Sequence, residues 1–406
     1  MTSEQPVGAL AGLTVVDLTQ TLAGPYCTML LADQGARVIK IEPVGGDWLR
    51  RLGPFLPDDE AREHSGYFHS INRNKLGIAL DLKAPEGQRI VRELAKDADV
   101  LVENFRAGVM ERLGLAYESL REINPRLVYA AVRGFGDPRT GESPYQEWPA
   151  YDVVAQAMGG LMGITGPSPE QPLKAGPGVG DIVPAMLTAV GILSAVHHAG
   201  RTGQGQFVDV AMYDGVLALC ERIVYQQTFT GETPEPQGNR HPLFCPFGLF
   251  PASDGWISIA CAADEFWRAL AAAMGRPELG NDPRYRTSGD RIRNSDDVIA
   301  MVEAWSKRHS KAELKEILGG KVPFGPVQDA AEIVADPHVR ARNMLADPGI
   351  CRGSPRIANT PIHMTETPGG VRRAAPTLGQ DTDQVLGELG YSAENIESLR
   401  RAGVVS

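Results

Sequence analysis

The feature that most constrains the fold of this chain is a strand–helix–strand pattern that repeats along its first half. The apolar run Leu13 to Leu18 leads through a loop into a helical stretch from about Gly24 to Gln34. Gly35 stops that helix, and a second apolar run, Arg37 to Ile41, follows. Parallel strands cannot be joined by a tight hairpin; they need a crossover of a dozen or more residues, which takes one hand. The pattern returns in LGIALDL, the helix APEGQRIVRELAKDA with Pro85 in its first turn, and the buried-strand run DVLVENF. Helices over VMERLGLAYESLREINP and the strand LVYAAVRGFG come next. The reading is α/β, with residues 1–225 forming a Rossmann-like, doubly wound large domain.

Past about residue 225 the texture changes. GETPEPQGNRHPLFCPFG is a Pro- and Gly-rich connection, WISIACA a strand, DEFWRALAAAMG a helix opening on Asp264, and HSKAELKEIL a short surface helix. A smaller α/β domain is expected at 226–335. Residues 336–406, with two capped helices, are expected to return and pack on the large domain. At 406 residues the chain is too long for one core, so several units are expected in any case.

A formal charge of −10 argues against nucleic acid as a partner, which would need a basic face. Cys27, Cys220, Cys245, Cys261 and Cys351 are widely spaced, odd in number and without a Cys-x-x-Cys pair, so neither a disulfide framework nor a zinc site is indicated. The opening MTSEQPVGAL has no basic and apolar leader pattern. Ile182 to Ala199 is apolar enough to raise a membrane span, but Pro184, Gly191 and two histidines interrupt it, and a buried helix is the expectation. Together these place the chain in the cytoplasm, with no membrane partner.

Glu42 ends the second strand, where a dinucleotide-binding fold grips a ribose. The loop that would carry Gly-x-Gly-x-x-Gly instead reads DLTQTLAGP, and one glycine followed by proline cannot cradle a pyrophosphate. The eight histidines show no metal-ligand spacing, and no metal is expected. The densest group of unusual residues is YDVVAQAMGGLMGITG (151–166) followed by GVGDIVP. Asp181 reads in two ways there. It is a helix N-cap, or it is a nucleophilic carboxylate kept ionised by the helix dipole and left accessible by Gly178 and Gly180.

The chain resembles the class III CoA-transferase family, which also holds formyl-CoA transferases and α-methylacyl-CoA racemases. The resemblance runs through LAGPYCTMLLADQGARVIKIE, NRNKLGIALDLKAPEG, DVLVENFRAGVMERLGL, INPRLVYAAVRGFG, the two segments around Asp181, RTGQGQFVDVAMYDG, DPHVRARNML and LGQDTDQVLGELGY. It implies that Asp181 is the nucleophile, attacking an acyl-CoA thioester to give a mixed anhydride and then an aspartyl-CoA thioester. CoA is then a substrate, and no cofactor is tightly bound. The same resemblance suggests Ala23, Asn72, Lys75, Asn104, Phe105, Arg112, Arg133 and Tyr151 for CoA, with Arg73 and Arg106 as neighbouring candidates. Tyr151 reads equally as a packing residue. It stands where the racemases carry a histidine base, so transfer is favoured over racemisation, and a catalytically inactive CoA-binding protein is the other alternative. Leu22 replaces the glutamine of formyl-CoA transferases. GNRHPLFCPFG (238–248) matches the family's mobile loop. The resemblance further implies small carboxylic acids as partners, succinyl-CoA as a donor, and an interlocked ring homodimer.

Overall fold

A computed structural model describes residues 8–350 and 355–406; the first seven residues of the opening segment and Cys351 lie outside the described residues. Six strands form the central sheet: β1 (Thr14–Asp17), β2 (Arg37–Glu42), β3 (Lys75–Ala79), β4 (Val100–Glu103), β5 (Val128–Arg133) and β6 (Phe207–Ala211). Their order is β3-β2-β1-β4-β5-β6, and every pairing is parallel. The order reverses between β1 and β4, which is the doubly wound arrangement.

Helices cover both faces: α1 (Ala23–Asp33), α2 (Gly66–Asn72), α3 (Pro85–Asp97), α4 (Val109–Arg112), α5 (Tyr117–Ile123), α6 (Asp152–Met158) and α7 (Val179–Thr202). Successive strand residues point to opposite faces, and the two cores follow that alternation. Val16, Ile39, Ile78, Leu101 and Tyr129 join α3 residues Ile90, Val91 and Leu94 on one side. Val15, Val38, Val100, Val102 and Val128 join Leu31 of α1 and Ile192 of α7 on the other. Burial on both faces explains why the strands read as unbroken apolar runs. The last segment closes the first core, with Leu386, Leu399 and Val405 packed beside Ile78 and Leu80. Asp381 accepts the Gly77 N–H at 2.8 Å, and Val404 O accepts the Asp81 N–H at 2.8 Å.

The chain divides into two compact units, the larger from residues up to 161, 174–225 and 338 onward, the smaller from 162–173 and 226–337. The short stretch 162–173, expected with the first unit, belongs to the second. The smaller unit has an antiparallel three-stranded sheet, β7 (Phe247–Ala252), β8 (Gly255–Ala260) and β9 (Phe324–Pro326). Its core gathers Ile257, Ile259, Trp267, Leu270, Val298 and Val302.

The apolar helix at 182–199 is only partly the buried helix expected. α7 packs Ala185, Ala189, Ile192 and Ala195 against the sheet, while Met186, Leu187, Val190 and Leu193 are 40–62% exposed in the single chain. By length and composition it could cross a membrane, but its buried stripe is one wall of the sheet's core.

Candidate active site

In open parallel sheets the crevice forms beyond the carboxyl ends of the strands where the order reverses. Here the loops leaving β1, β4 and β5 converge at that point on a cleft of about 290 Å³. Its floor comes from Gln20 to Ala23, Asn104 to Ala107 and Arg133–Gly134. Trp148 to Tyr151 and Asp181, in the first turn of α7, complete it.

The loop after β1 is held from below by buried charge. Asp17, Lys40 and Lys75 are 0% exposed. Lys75 Nζ donates to Asp17 at 3.1 Å, to Pro25 O at 3.0 Å and to Asn72 Oδ1 at 2.9 Å. Lys40 Nζ donates to Thr19 O at 2.9 Å, and Asn104 clamps Gln20 through both its N–H (2.9 Å) and its carbonyl (2.7 Å). Burial pushes the Lys75 ammonium down to about 8. Thr21 sits at φ 68°, a left-handed conformation that is an outlier for a β-branched residue. Trp48 Nε1 donates to its hydroxyl at 3.1 Å, and its N–H reaches Asp47 at 3.3 Å.

Asp181 is half-buried and lies in the first turn of α7, but it is not the cap. Gly178 occupies that position without a side-chain hydrogen bond. The capping carboxylate belongs to Asp152 of α6, whose Oδ1 accepts the Gly180 N–H at 2.8 Å, while Gln156 Nε2 donates to both its oxygens at 2.8 and 2.9 Å. A side chain on Gly178 would come 3.1 Å from Leu22 and 3.7 Å from the Asp181 carboxylate, so this glycine does keep space open beside the acid. Gly180 acts otherwise than expected. A Cβ there would lie 2.5 Å from Asp152 O, so it lets α6 and α7 touch rather than admitting a ligand.

The helix dipole does not settle the charge of Asp181. Burial, and then the neighbouring charge of Asp152, pushes its carboxyl up to about 7. No hydrogen bond to that carboxylate is made among the described residues. The cleft therefore holds an accessible carboxylate that is poorly solvated and poorly partnered, the state in which a carboxylate is most nucleophilic.

Six of the nine expected site residues line this cleft: Ala23, Asn104, Phe105, Arg133, Tyr151 and Asp181. Tyr151 is 63% exposed. Arg133 is buried and bound to Glu103 (2.5 Å) and to Asp137, so its charge is already matched. Asn72 and Lys75 are sealed in the core beneath the loop and reach no surface, and Arg112 is exposed on α4 away from the cleft lining. Arg73 is bound to Asp33 at 2.7 Å. Arg106 is exposed and lines the cleft. Sequence reasoning missed Asp152 and Trp148. The spacing of Asp152 and Gln156, four apart on one helix, was a signal for the former; nothing local marked the latter.

The architecture is shared with a solved CAIB/BAIF family protein from Brucella suis, at 35% identity and a TM-score of 0.84, covering 95% of this chain and 100% of that one. The fold is thus that of an established structural group. The model of CoA-transferase family III matches residues 10–382, and the chain belongs to that family. It is 49% identical over 390 residues to a succinyl-CoA:mesaconate CoA-transferase of Haloarcula marismortui, with 95% of this chain and 97% of that protein covered. An acetyl-CoA:oxalate CoA-transferase of Acetobacter aceti is 43% identical, with 86% of this chain and 88% of the relative covered. The protein is a class III acyl-CoA:carboxylate CoA-transferase, and acyl-CoA is its substrate.

Proposed function

We propose that Asp181 is the covalent nucleophile and that the exchange runs between succinyl-CoA and a small dicarboxylic acid. The observation that carries this is the Asp181 carboxylate itself, half-buried, unpartnered and open to the cleft at the switch point. Its oxygen attacks the thioester carbonyl, the C–S bond breaks, and CoA leaves as thiolate with a mixed anhydride on Asp181. The thiolate attacks the Asp181 carbonyl, breaking the anhydride C–O bond and freeing the donor carboxylate. The acceptor carboxylate attacks the resulting aspartyl-CoA thioester, and the two steps reverse. Each step exchanges acyl bonds of similar energy, so the cleft must chiefly exclude water. The choice of acids is supported by the relatives' names, which specify succinyl-CoA with mesaconate and acetyl-CoA with oxalate.

In this reading CoA lies along the loops after β1 and β4. Ala23 leaves room for the thioester, Phe105 meets the adenine, and Arg106 meets phosphate in an otherwise acidic protein. Asn104, Asn72 and Lys75 act through the loop they hold. Racemisation would need a second base, and among the described residues the cleft lining has Tyr151 and no histidine. A cytoplasmic homodimer with interlocked chains completes the proposal, and the exposed apolar stripe of α7 is what a second copy would cover.

The test is trapping. Incubation with succinyl-CoA and hydroxylamine should place a hydroxamate on Asp181, located by peptide mass spectrometry. Asp181→Ala should lose both trapping and transfer while keeping its circular dichroism spectrum. Full transfer by Asp181→Ala would end this reading.

A further inference from the structure

Among the described residues the non-glycine positions with a positive φ are Thr21, Arg62, Asn74 and Asn343. Thr21 alone of these is β-branched, and it alone lines the Asp181 cleft. A left-handed conformation is easy for asparagine and costly for threonine, whose branched Cβ crowds the backbone. Something outside the residue has to impose it, and such strain gathers where a site needs a fixed geometry. Two contacts impose it here. Asp47 Oδ2 accepts the Thr21 N–H at 3.3 Å, and Thr21 Oγ1 accepts the Trp48 indole N–H at 3.1 Å.

The backbone that carries those two partners is firmly anchored. Trp48 opens a single helical turn, Trp48–Arg51, capped by Asp47, whose Oδ1 accepts the Leu49 N–H at 3.0 Å. The Asp47 N–H donates to Glu42, at the end of β2, at 2.9 Å, and Arg50 grips the same carboxylate at 2.6 and 2.8 Å. The Arg50 guanidinium also lies 3.7 Å from the centre of the Phe68 ring. Trp48 itself is 47% exposed in the single chain, so burial does not account for a tryptophan there. Its one polar group is the indole N–H, and that group donates to Thr21. On the far side of Thr21 the chain enters α1 through Leu22. The space beside Gly178 is bounded by Leu22 Cδ2 and by the Asp181 carboxylate, 3.1 and 3.7 Å from where a Cβ would stand. The turn at Thr21 therefore sets where Leu22 stands beside Asp181.

We propose that Trp48 is a positioning residue for the transfer reaction: its indole N–H locks Thr21 in the left-handed conformation and so fixes the loop after β1 against Asp181. The inference rests on the reading of Asp181 as the reacting group. The attacking oxygen has to meet the thioester carbonyl in one geometry, and a loop that relaxes at Thr21 displaces the cleft wall made by Thr21, Leu22 and Ala23. The Trp48 ring does not have to touch substrate. What it supplies is one hydrogen bond to a strained residue. An asparagine takes the same conformation unaided, and makes that hydrogen bond dispensable.

The experiment is a double-mutant cycle on Trp48→Phe and Thr21→Asn, read as kcat/KM for exchange of isotopically labelled succinate into succinyl-CoA. Trp48→Phe keeps an aromatic ring and removes the donor; it should lower kcat/KM about three- to tenfold, the net contribution of one hydrogen bond. Thr21→Val removes the same bond from its other end and should match it. Thr21→Asn alone should stay within about twofold of wild type. In its background Trp48→Phe should cost less than about twofold, a rescue that a contact between Trp48 and substrate does not produce. Unchanged kcat/KM in both Trp48→Phe and Thr21→Val overturns the proposal. So does an equal loss from Trp48→Phe in both backgrounds, which makes Trp48 a direct substrate contact. A Thr21→Asn enzyme as impaired as Trp48→Phe overturns it too, because the threonine hydroxyl is then needed for itself. In each of these cases the Asp181 hydroxamate still forms in the wild type; its absence there overturns the Asp181 reading and this proposal with it.

Discussion

Replacing Asp181 by asparagine should make the protein more stable, and by an amount that grows with pH. The carboxyl is displaced upward from 3.8 to about 7, mainly by burial. A group whose folded value lies above its unfolded one is penalised when ionised. Stability is thus unaffected below pH 4, falls as pH rises towards 7, and is constant above that. At about 1.36 kcal/mol per unit, the penalty is about 4 kcal/mol at pH 8 and about 2 kcal/mol at pH 5.5. Asp181 keeps some contact with solvent, so roughly half of each is realistic. The asparagine is neutral throughout and close in shape. Urea unfolding of both proteins at the two pH values should show the variant more stable at each, with a gap about 1 kcal/mol wider at pH 8. A gap that is flat or narrows with pH would refute the argument that burial sets the charge of this side chain.

Three further outcomes are expected. Asp152→Asn removes the like charge beside Asp181 but keeps an acceptor for the Gly180 N–H; the acid limb of the kcat/KM profile should move down by about half a unit or more, and an unmoved limb would refute the coupling. Gly180→Ala places a methyl 2.5 Å from Asp152 O, and should cost about 1–3 kcal/mol in urea unfolding and lower kcat by separating α6 from α7. Lys75→Met leaves Asp17 buried without its 3.1 Å partner and should destabilise by about 3–5 kcal/mol; normal stability with a raised KM for acyl-CoA would instead make Lys75 a direct ligand.

The sheet was legible because parallel strands buried on both faces leave continuous apolar runs, as in VVD, RVIKIE and VLVE. Asp181 stood out through the glycines around it, and the Pro184 helix start was readable beside it. What was not legible depends on distant pairings. Asn72 and Lys75 look like surface polar residues until Asp17, 58 positions before Lys75, is found against it. The cap reading of Asp181 failed for the same reason. A cap is ordinarily local, and here the carboxylate comes from 28 residues away on another helix. The stretch 162–173 lies between two segments of the larger unit in sequence, and only tertiary contacts assign it elsewhere.

The placement of Asp152 beside Asp181 also bears on the energetics of turnover. In the resting enzyme the two carboxylates repel each other in a poorly solvated setting. In the proposed exchange, an acylated Asp181, as anhydride or as CoA thioester, carries no charge and the repulsion is gone. The covalent states are therefore favoured relative to the free enzyme by the same interaction that hinders ionisation. Relative to the free enzyme they lie lower than a solvent-exposed aspartyl ester would relative to its relaxed carboxylate, because the starting state is raised towards them. Deacylation must restore the repulsion, which slows the return of a bare carboxylate by water as well as by substrate. An enzyme that has to keep an activated acyl group waiting for its second acid gains from that asymmetry, because the loaded form persists between the departure of one carboxylate and the arrival of the next.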